Sequence, residues 1–130
     1  MQFLLITELG DALLIKSGEN TLQTLQTLVG GLIECVTPTP CGALGFQCDV
    51  WVNEEGFYMG YGINLVASYM TGRQLVGPAV LTHSTPSGRT TGLTRKNLDS
   101  LIKDGLTIDA GQNGNGYTVE EVMDILSEAV

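Results

Sequence analysis

Apolar positions along this chain switch repeatedly between alternating and helical spacing, and each switch marks a predicted element. Short apolar runs over residues 3–7 and 12–16, on either side of Gly10-Asp11, predict two strands joined by a tight turn. Leu22, Leu25, Leu28 and Val29 then recur at helical spacing. Asn20 is placed to cap that helix, with Gln23 able to reach back to it. Gly30-Gly31 ends it, because glycine enters the left-handed conformation without steric cost. Strands follow over residues 32–37 and 46–52, flanking the loop Thr37-Pro38-Thr39-Pro40-Cys41-Gly42. If they form a hairpin centred near Cys41-Gly42, Cys35 and Cys48 sit roughly opposite each other. Both are then expected to be reduced and largely buried, with Cys41 the accessible thiol. Asn53-Glu54-Glu55-Gly56 closes the second strand in a type I turn. A positive φ is expected at Gly56, and Glu54 and Glu55 should face solvent.

Asn64 can cap a short helix reaching Met70, closed by Gly72, with Leu65, Val66 and Tyr69 towards the sheet. Residues 74–81 read as a strand interrupted by Gly77-Pro78. Proline cannot donate to a ladder, so this strand is expected at an edge or bulged. The polar stretch 83–92 reads as a flexible loop. Thr94 caps a third helix, Leu93 staples onto Leu98, and Leu98, Leu101 and Ile102 are its buried face before Gly105. A strand at 106–108 and a glycine-rich linker lead to a last helix. Thr118 and Glu121 form its capping box, Tyr117 and Val122 its staple, and Val122, Ile125, Leu126 and Ala129 its apolar face. The fold class is α+β: a mainly antiparallel sheet with the 20–29 helix packed on one face. Residues 1–105 form its core and residues 106–130 an acidic, C-terminal helical extension.

Composition narrows the partners. A chain of 130 residues, 43% apolar and 15% charged, is long enough to bury one core without staples. No apolar run approaches the ~18 residues of a membrane span, so no membrane partner is expected. Met1 to Ile6 lacks basic residues and meets Glu8 and Asp11 at once, unlike a secretory leader. Three cysteines without CxxC spacing then fit reduced thiols in a cytoplasm. A net charge of −8 argues against nucleic acid, whose phosphates need Lys and Arg.

Several segments carry a family resemblance. Leu25-Gln26-Thr27-Leu28-Val29-Gly30-Gly31, the Val50-Trp51-Val52 strand running into Asn53-Glu54-Glu55-Gly56, then Asn64 with Ala67, resemble domain-of-unknown-function family 3846. The likeness continues through the Leu75–Val80 segment and the Gly92-Leu93-Thr94 helix start, about 105 residues in all. Members of that family are typically encoded by phages and actinobacterial mobile elements. The resemblance therefore implies a protein of the host-cell cytoplasm and supplies no catalytic residue.

Candidate chemistry is sparse. His83 is the single histidine, and no GxSxG, Cys-His, Walker or dinucleotide pattern occurs. No catalytic residue, cofactor or metal is therefore assigned. A calcium loop starting at Asp109 would put Asn113, Gly114 and Glu120 in place, but Gly111 and Gly116 fall where a ligand oxygen and an apolar residue belong. Charge is the stronger lead. Arg89, Arg95, Lys96 and Lys103 are four of the six basic residues, whereas from Leu106 onward there are five acids and no base. These segments are expected either to pair with each other or to face water. A bound phosphate offers a third reading. It would use His83, Ser84, Thr85, Ser87, Arg89 and Thr91, then the helix start at Thr94, Arg95 and Lys96. Asn53, Glu54, Glu55 and Asn64 are a second candidate site. The leading expectation is a non-catalytic, phage-type accessory protein that sequesters a phosphorylated small molecule such as a signalling nucleotide. An acidic, protein-binding inhibitor of a host defence or nucleic-acid enzyme is the alternative, and a small enzyme with convergent carboxylates comes third. Self-association is left open.

Overall fold

The computed structural model describes residues 1–18, 20–39 and 41–128. Its strands are β1 (Gln2–Ile6), β2 (Ala12–Lys16), β3 (Ile33–Val36), β4 (Asp49–Asn53), β5 (Ala79–Ser84), β6 (Thr90–Thr91) and β7 (Ile108–Asp109). They form one sheet in the order β3-β4-β5-β1-β2-β7, with β6 paired to β5. All pairings are antiparallel except β2 with β7. The α+β expectation holds.

Four helices cover the sheet: α1 (Thr21–Val29), α2 (Leu65–Thr71), α3 (Arg95–Lys103) and α4 (Val119–Glu128). Because side chains alternate along a strand, each central strand feeds two cores. Leu4, Ile6, Leu14, Val50 and Leu81 meet Ala67 and Met70 of α2 and Leu98 and Leu101 of α3. On the other face Phe3, Leu5, Ile15 and Val80 meet Leu25, Leu28 and Val29 of α1 and Val122 of α4. A single packed helix was expected; both faces are covered. This explains why β1 and β2 read as near-continuous apolar runs.

Helix starts follow their capping residues. Asn20 Oδ1 accepts from Gln23 N–H at 3.0 Å, and Asn64 Oδ1 from Ala67 N–H at 3.0 Å. Thr118 and Glu121 close their box at 3.1 and 3.2 Å. Thr94 does the same with Asn97 as its partner, at 2.9 and 3.1 Å. Buried faces differ from the expected ones at several positions. Leu22 is exposed and Thr24 takes its place against the core; Ile102 is exposed while Asn97 is buried. In α2 the inward residues are Ala67, Met70 and Thr71, and Leu65 and Tyr69 point outward at 75% exposure each. The predicted apolar face of α4 holds at Val122; Ile125 is 37% exposed, and Ala129 lies outside the described residues.

Three topological expectations change. β5 is central, between β4 and β1, because it starts only after Pro78, so the proline never enters the ladder. The 83–92 loop is a hairpin, with His83 opposite Thr91 and Ser84 opposite Thr90. The 110–118 linker is pinned to the sheet: Tyr117 N–H donates to Leu14 O at 2.7 Å and Lys16 N–H to Tyr117 O at 2.8 Å.

Register separates the two thiols expected to face each other. Cys35 stands opposite Trp51, and Cys48 precedes β4. By alternation Cys48 shares a face with Val50, whereas Cys35 shares one with Trp51. The intervening loop instead folds onto α2: Ala43 N–H donates to Tyr69 O at 3.2 Å and Leu44 N–H to Met70 O at 3.2 Å. A Cβ on Gly42 would come within 2.4 Å of Met70 O, so only glycine fits this crossing.

Candidate functional site

The Asn53-Glu54-Glu55-Gly56 turn is built by its asparagine. Asn53 is 5% exposed, its Oδ1 accepts from Glu55 N–H at 2.8 Å, and its Nδ2 donates to Val29 O at 3.1 Å. The same side chain therefore shapes the turn and ties it to the C-terminal end of α1. Gly56 N–H closes the turn onto Asn53 O at 3.1 Å. Gly56 does not have the expected positive φ. Its constraint is contact: a Cβ would sit 2.9 Å from Val76 Cγ2.

The segment after this turn is unusual for a folded surface. Met59 N–H bonds Glu55 O at 3.0 Å and Tyr61 N–H bonds Gly56 O at 3.2 Å, giving one helical turn. That turn holds Tyr58 at 93% exposure and Phe57 at 71%, with Met59 and Ile63 about half exposed. Tyr61 turns inward, its ring against Gly77 and its hydroxyl against Gly30. Leu65 and Tyr69, one helical turn apart on α2, are also exposed, with Tyr69 in a separate cleft against Leu44 and Leu101. The β1–β2 turn joins the aromatic surface. Gly10 packs towards Val66, Leu9 is 77% exposed, and the Glu8 carboxylate lies against Gly62. Glu8, Glu54 and Glu55, all exposed, supply most of the surrounding charge, and the exposed Arg73 shares a cleft with Phe57 and Glu54.

Asn64 is fully buried and spends both ends of its amide. Besides the Ala67 bond, Nδ2 donates to Ile6 O at 3.0 Å and to Gly77 O at 2.9 Å. The candidate set Asn53, Glu54, Glu55 and Asn64 thus divides into two buried structural amides and two exposed carboxylates.

The phosphate candidates are brought to one stretch of chain, but many of their polar groups already have partners. Thr85 Oγ1 accepts from Arg89 N–H at 3.1 Å and shares a hydrogen bond with Ser87 Oγ at 2.9 Å. Thr94 caps Asn97 N–H, and Arg95 Nε pairs with Asp99 Oδ1 at 3.1 Å. His83 and Thr91 face each other across the hairpin ladder. Ser84 lines a different cleft, with Thr37, Phe46 and Asp49. Arg89 and Lys96 remain exposed and without an ion pair among the described residues. The basic α3 and the acidic α4 lie on opposite faces of the sheet, so they do not neutralise each other.

Residues 1–106 match DUF3846, a domain of unknown function. The chain belongs to this family. No curated protein and no solved structure matches it. The DUF3846 match takes in β1 to β6, α1 to α3 and the whole aromatic turn, whereas β7 and α4 follow it. None of the helices of this DUF3846 chain, among its described residues, is long and apolar enough to cross a membrane.

The thiols order themselves by environment. Cys48 is buried, and burial first, then the Asp49 carboxylate, push its thiol up to about 12. Cys35 and Cys41 are exposed, which corrects the expected burial of Cys35. Partial burial and Asp49 also raise the Cys35 thiol, while the Val50 backbone pulls the other way. Iodoacetamide on the native protein at pH 8 should label Cys41 first, Cys35 more slowly and Cys48 only on unfolding, since the thiolate is the reactive form. Labelling of Cys48 as fast as Cys41, read by mass spectrometry, would contradict this fold around β4.

Proposed function

We propose that this protein is a non-catalytic binding module that docks on a partner protein with a basic contact surface. The observation that carries this reading is the rigid display of Phe57 and Tyr58 at 71% and 93% exposure. Their turn is anchored by Asn53 to α1 and by Tyr61 against Gly30 and Gly77. Aromatic side chains held out on an ordered turn lose little conformational freedom when they bind, and such anchors dominate protein interfaces. Exposed apolar clusters of this kind mark interaction sites on soluble proteins. The exposed carboxylates of Glu8, Glu54 and Glu55, outnumbering the neighbouring Arg73 in a chain of net charge −8, favour a partner of opposite sign. They also disfavour a second copy of this chain, whose own carboxylates would meet them. The family's association with mobile elements supports a host protein as the partner, and an inhibitor of a host enzyme fits this mode of action.

Phe57→Ala with Tyr58→Ala should weaken partner binding at least about 30-fold, as loss of a central aromatic anchor does, while leaving the melting temperature within a few degrees. Partners captured from host lysate on the wild-type protein, then measured individually by biolayer interferometry, provide the test. Glu54→Gln with Glu55→Gln should mainly slow association and flatten its salt dependence. Unchanged affinity in the aromatic double variant would overturn the reading.

A phosphorylated ligand near the start of α3 is the second reading, favoured by the exposed, unpaired Arg89 and Lys96. A nucleotide-induced thermal shift abolished by Arg89→Ala would move it to first place.

A further inference from the structure

A groove that borders the aromatic surface, sharing Glu8, Leu9, Gly10 and Tyr61 with it but neither Phe57 nor Tyr58, runs between the β1–β2 turn, the C-terminal end of α1 and the inner side of α4. Its volume is about 810 Å³, within the usual size of small-molecule sites. The floor is apolar and already buried: Ala12, Leu13, Leu28 and Val29 are at most 5% exposed. Met123, Ile125 and Leu126 of α4 form one wall and Pro78 with Tyr61 part of the other.

The charged lining has a single sign. Glu8, Asp11 and Asp109 are the ionisable acids among the described lining residues, with no Lys, Arg or His beside them. Asp109 is held in place, accepting from Gly111 N–H at 3.0 Å and from the Tyr117 hydroxyl at 2.8 Å. α1 adds to the same sign. Its last turn, Thr27 to Gly30, lines the groove, and the carbonyl end of a helix carries partial negative charge. Gln26 O is taken by Gly30 and Gly31, and Val29 O by Asn53; the Thr27 and Leu28 carbonyls accept no hydrogen bond from outside the helix among the described residues. An apolar trough with carboxylates and helix carbonyls at its rim matches a molecule with an apolar body and a positive head.

We infer that this groove binds a small organic cation, an ammonium or guanidinium group on an aryl or alkyl stem. The stem lies on Leu13 and Leu28 against Leu126, and the head is held by Glu8, Asp11 and the end of α1. One wall comes from α4, which lies beyond the residues matched to the family.

The test uses three probes sharing one apolar body: 4-phenylbutylammonium, 4-phenylbutanol and 4-phenylbutyrate, titrated into the full chain by calorimetry and by backbone amide NMR. The ammonium should bind saturably, about fivefold or more tighter than the alcohol, with the carboxylate weakest. Shifts should centre on residues 7–13, 27–30 and 123–126. Glu8→Gln with Asp11→Asn should erase the preference for the ammonium yet keep alcohol binding. Thr27→Trp, at an exposed lining position, should block all three. Equal affinity for ammonium and alcohol overturns cation recognition, and no saturable shift in these segments overturns the groove. Binding of a lysine-bearing amphipathic peptide with none by the small ammonium also overturns it and hands the groove to a protein partner. Phe57→Ala with Tyr58→Ala should leave ammonium binding intact, so failure here and failure of the docking surface are separable.

Discussion

Deleting residues 107–130 is expected to convert the protein from a cooperatively melting domain into a loosely packed one. The removed segment includes β7, which pairs with β2 at Ala12–Ile108 and Leu13–Asp109, and the strap in which Tyr117 and β2 exchange two backbone hydrogen bonds. It also removes Val122, fully buried among Ile15, Leu25 and Leu28. Without that cover, Leu13, Ile15, Leu25 and Leu28 lose much of their burial and the β2 edge opens. At about 1.5–3 kcal/mol for a fully buried large apolar side chain, half-uncovering four of them and losing Val122 comes to about 4.5–9 kcal/mol. That is comparable to the whole stability of a domain this size, about 5–15 kcal/mol. The expected result is a protein that binds a hydrophobic dye, elutes early on size exclusion and melts without a sharp transition. Val122→Ala should cost only about 1–3 kcal/mol and keep cooperativity. A sharp melt for the 1–106 fragment near that of the full chain would show that the family core stands alone and that β7 and α4 are an appended layer.

The same segment shows which parts of the fold local sequence encodes. Caps were legible because each is a bond between residues three apart: Asn20 with Gln23, Asn64 with Ala67, Thr118 with Glu121. The Thr118 box even marks where α4 begins. Nothing local says that Tyr117 just before it sits beside Ile15, which is 102 residues away in the chain. Register carries the same lesson. A hairpin centred on Cys41-Gly42 would pair Cys35 with Cys48, yet the loop bends onto α2 and the ladder slides to Cys35–Trp51. Faces of short helices were the weakest inference. In α2 the larger Leu65 and Tyr69 look like core by hydrophobicity, but the space between α2 and the sheet admits Ala67 and Met70. Phe57 and Tyr58, likewise left outside, carry the proposed docking surface. Its signal in the sequence was the run Phe57-Tyr58-Met59 directly after a turn, where polar residues are usual.

Of the candidate residues, Glu54 and Glu55 are exposed as a type I turn requires, and Asn53 and Asn64 hold the turn and cap positions expected of them. What the sequence does not reveal is that both amides are buried, unlike the acids grouped with them. Buried asparagines with complete hydrogen bonding shape a backbone; they leave nothing for a ligand. The segment from Asn53 to Asn64 therefore divides its labour. Asn53, Gly56 and Asn64 build the connection between β4 and β5, and Phe57, Tyr58, Met59 and Ile63 between them are left exposed.

Asn64 gives the sharpest single-residue test of that division. Asn64→Ala should destabilise the protein by about 3–5 kcal/mol without any change in what the residual folded fraction binds. The change removes an N-cap, worth about 0.5–2 kcal/mol, and leaves the Ile6 and Gly77 carbonyls buried without their donor, at about 1–3 kcal/mol each before relaxation. Asn64→Asp has nearly the same shape and keeps the cap acceptor, but its ionised carboxylate faces two carbonyl oxygens and has no proton to give. Burial and those oxygens should both raise its folded-state pKa above the unfolded value of about 3.9. A raised pKa means that the folded protein holds the proton more tightly than the unfolded chain. The stabilisation from that protonation is complete below the unfolded pKa and is lost as pH rises through the folded one. Asn64→Asp should therefore be closest to wild type near pH 4 and lose stability progressively towards pH 7, relative to wild type at each pH. Urea denaturation across that range measures it. A flat difference between the two proteins from pH 4 to pH 7 would mean that water reaches position 64. The asparagine would then not be a sealed tie between β1, α2 and the segment leading into β5.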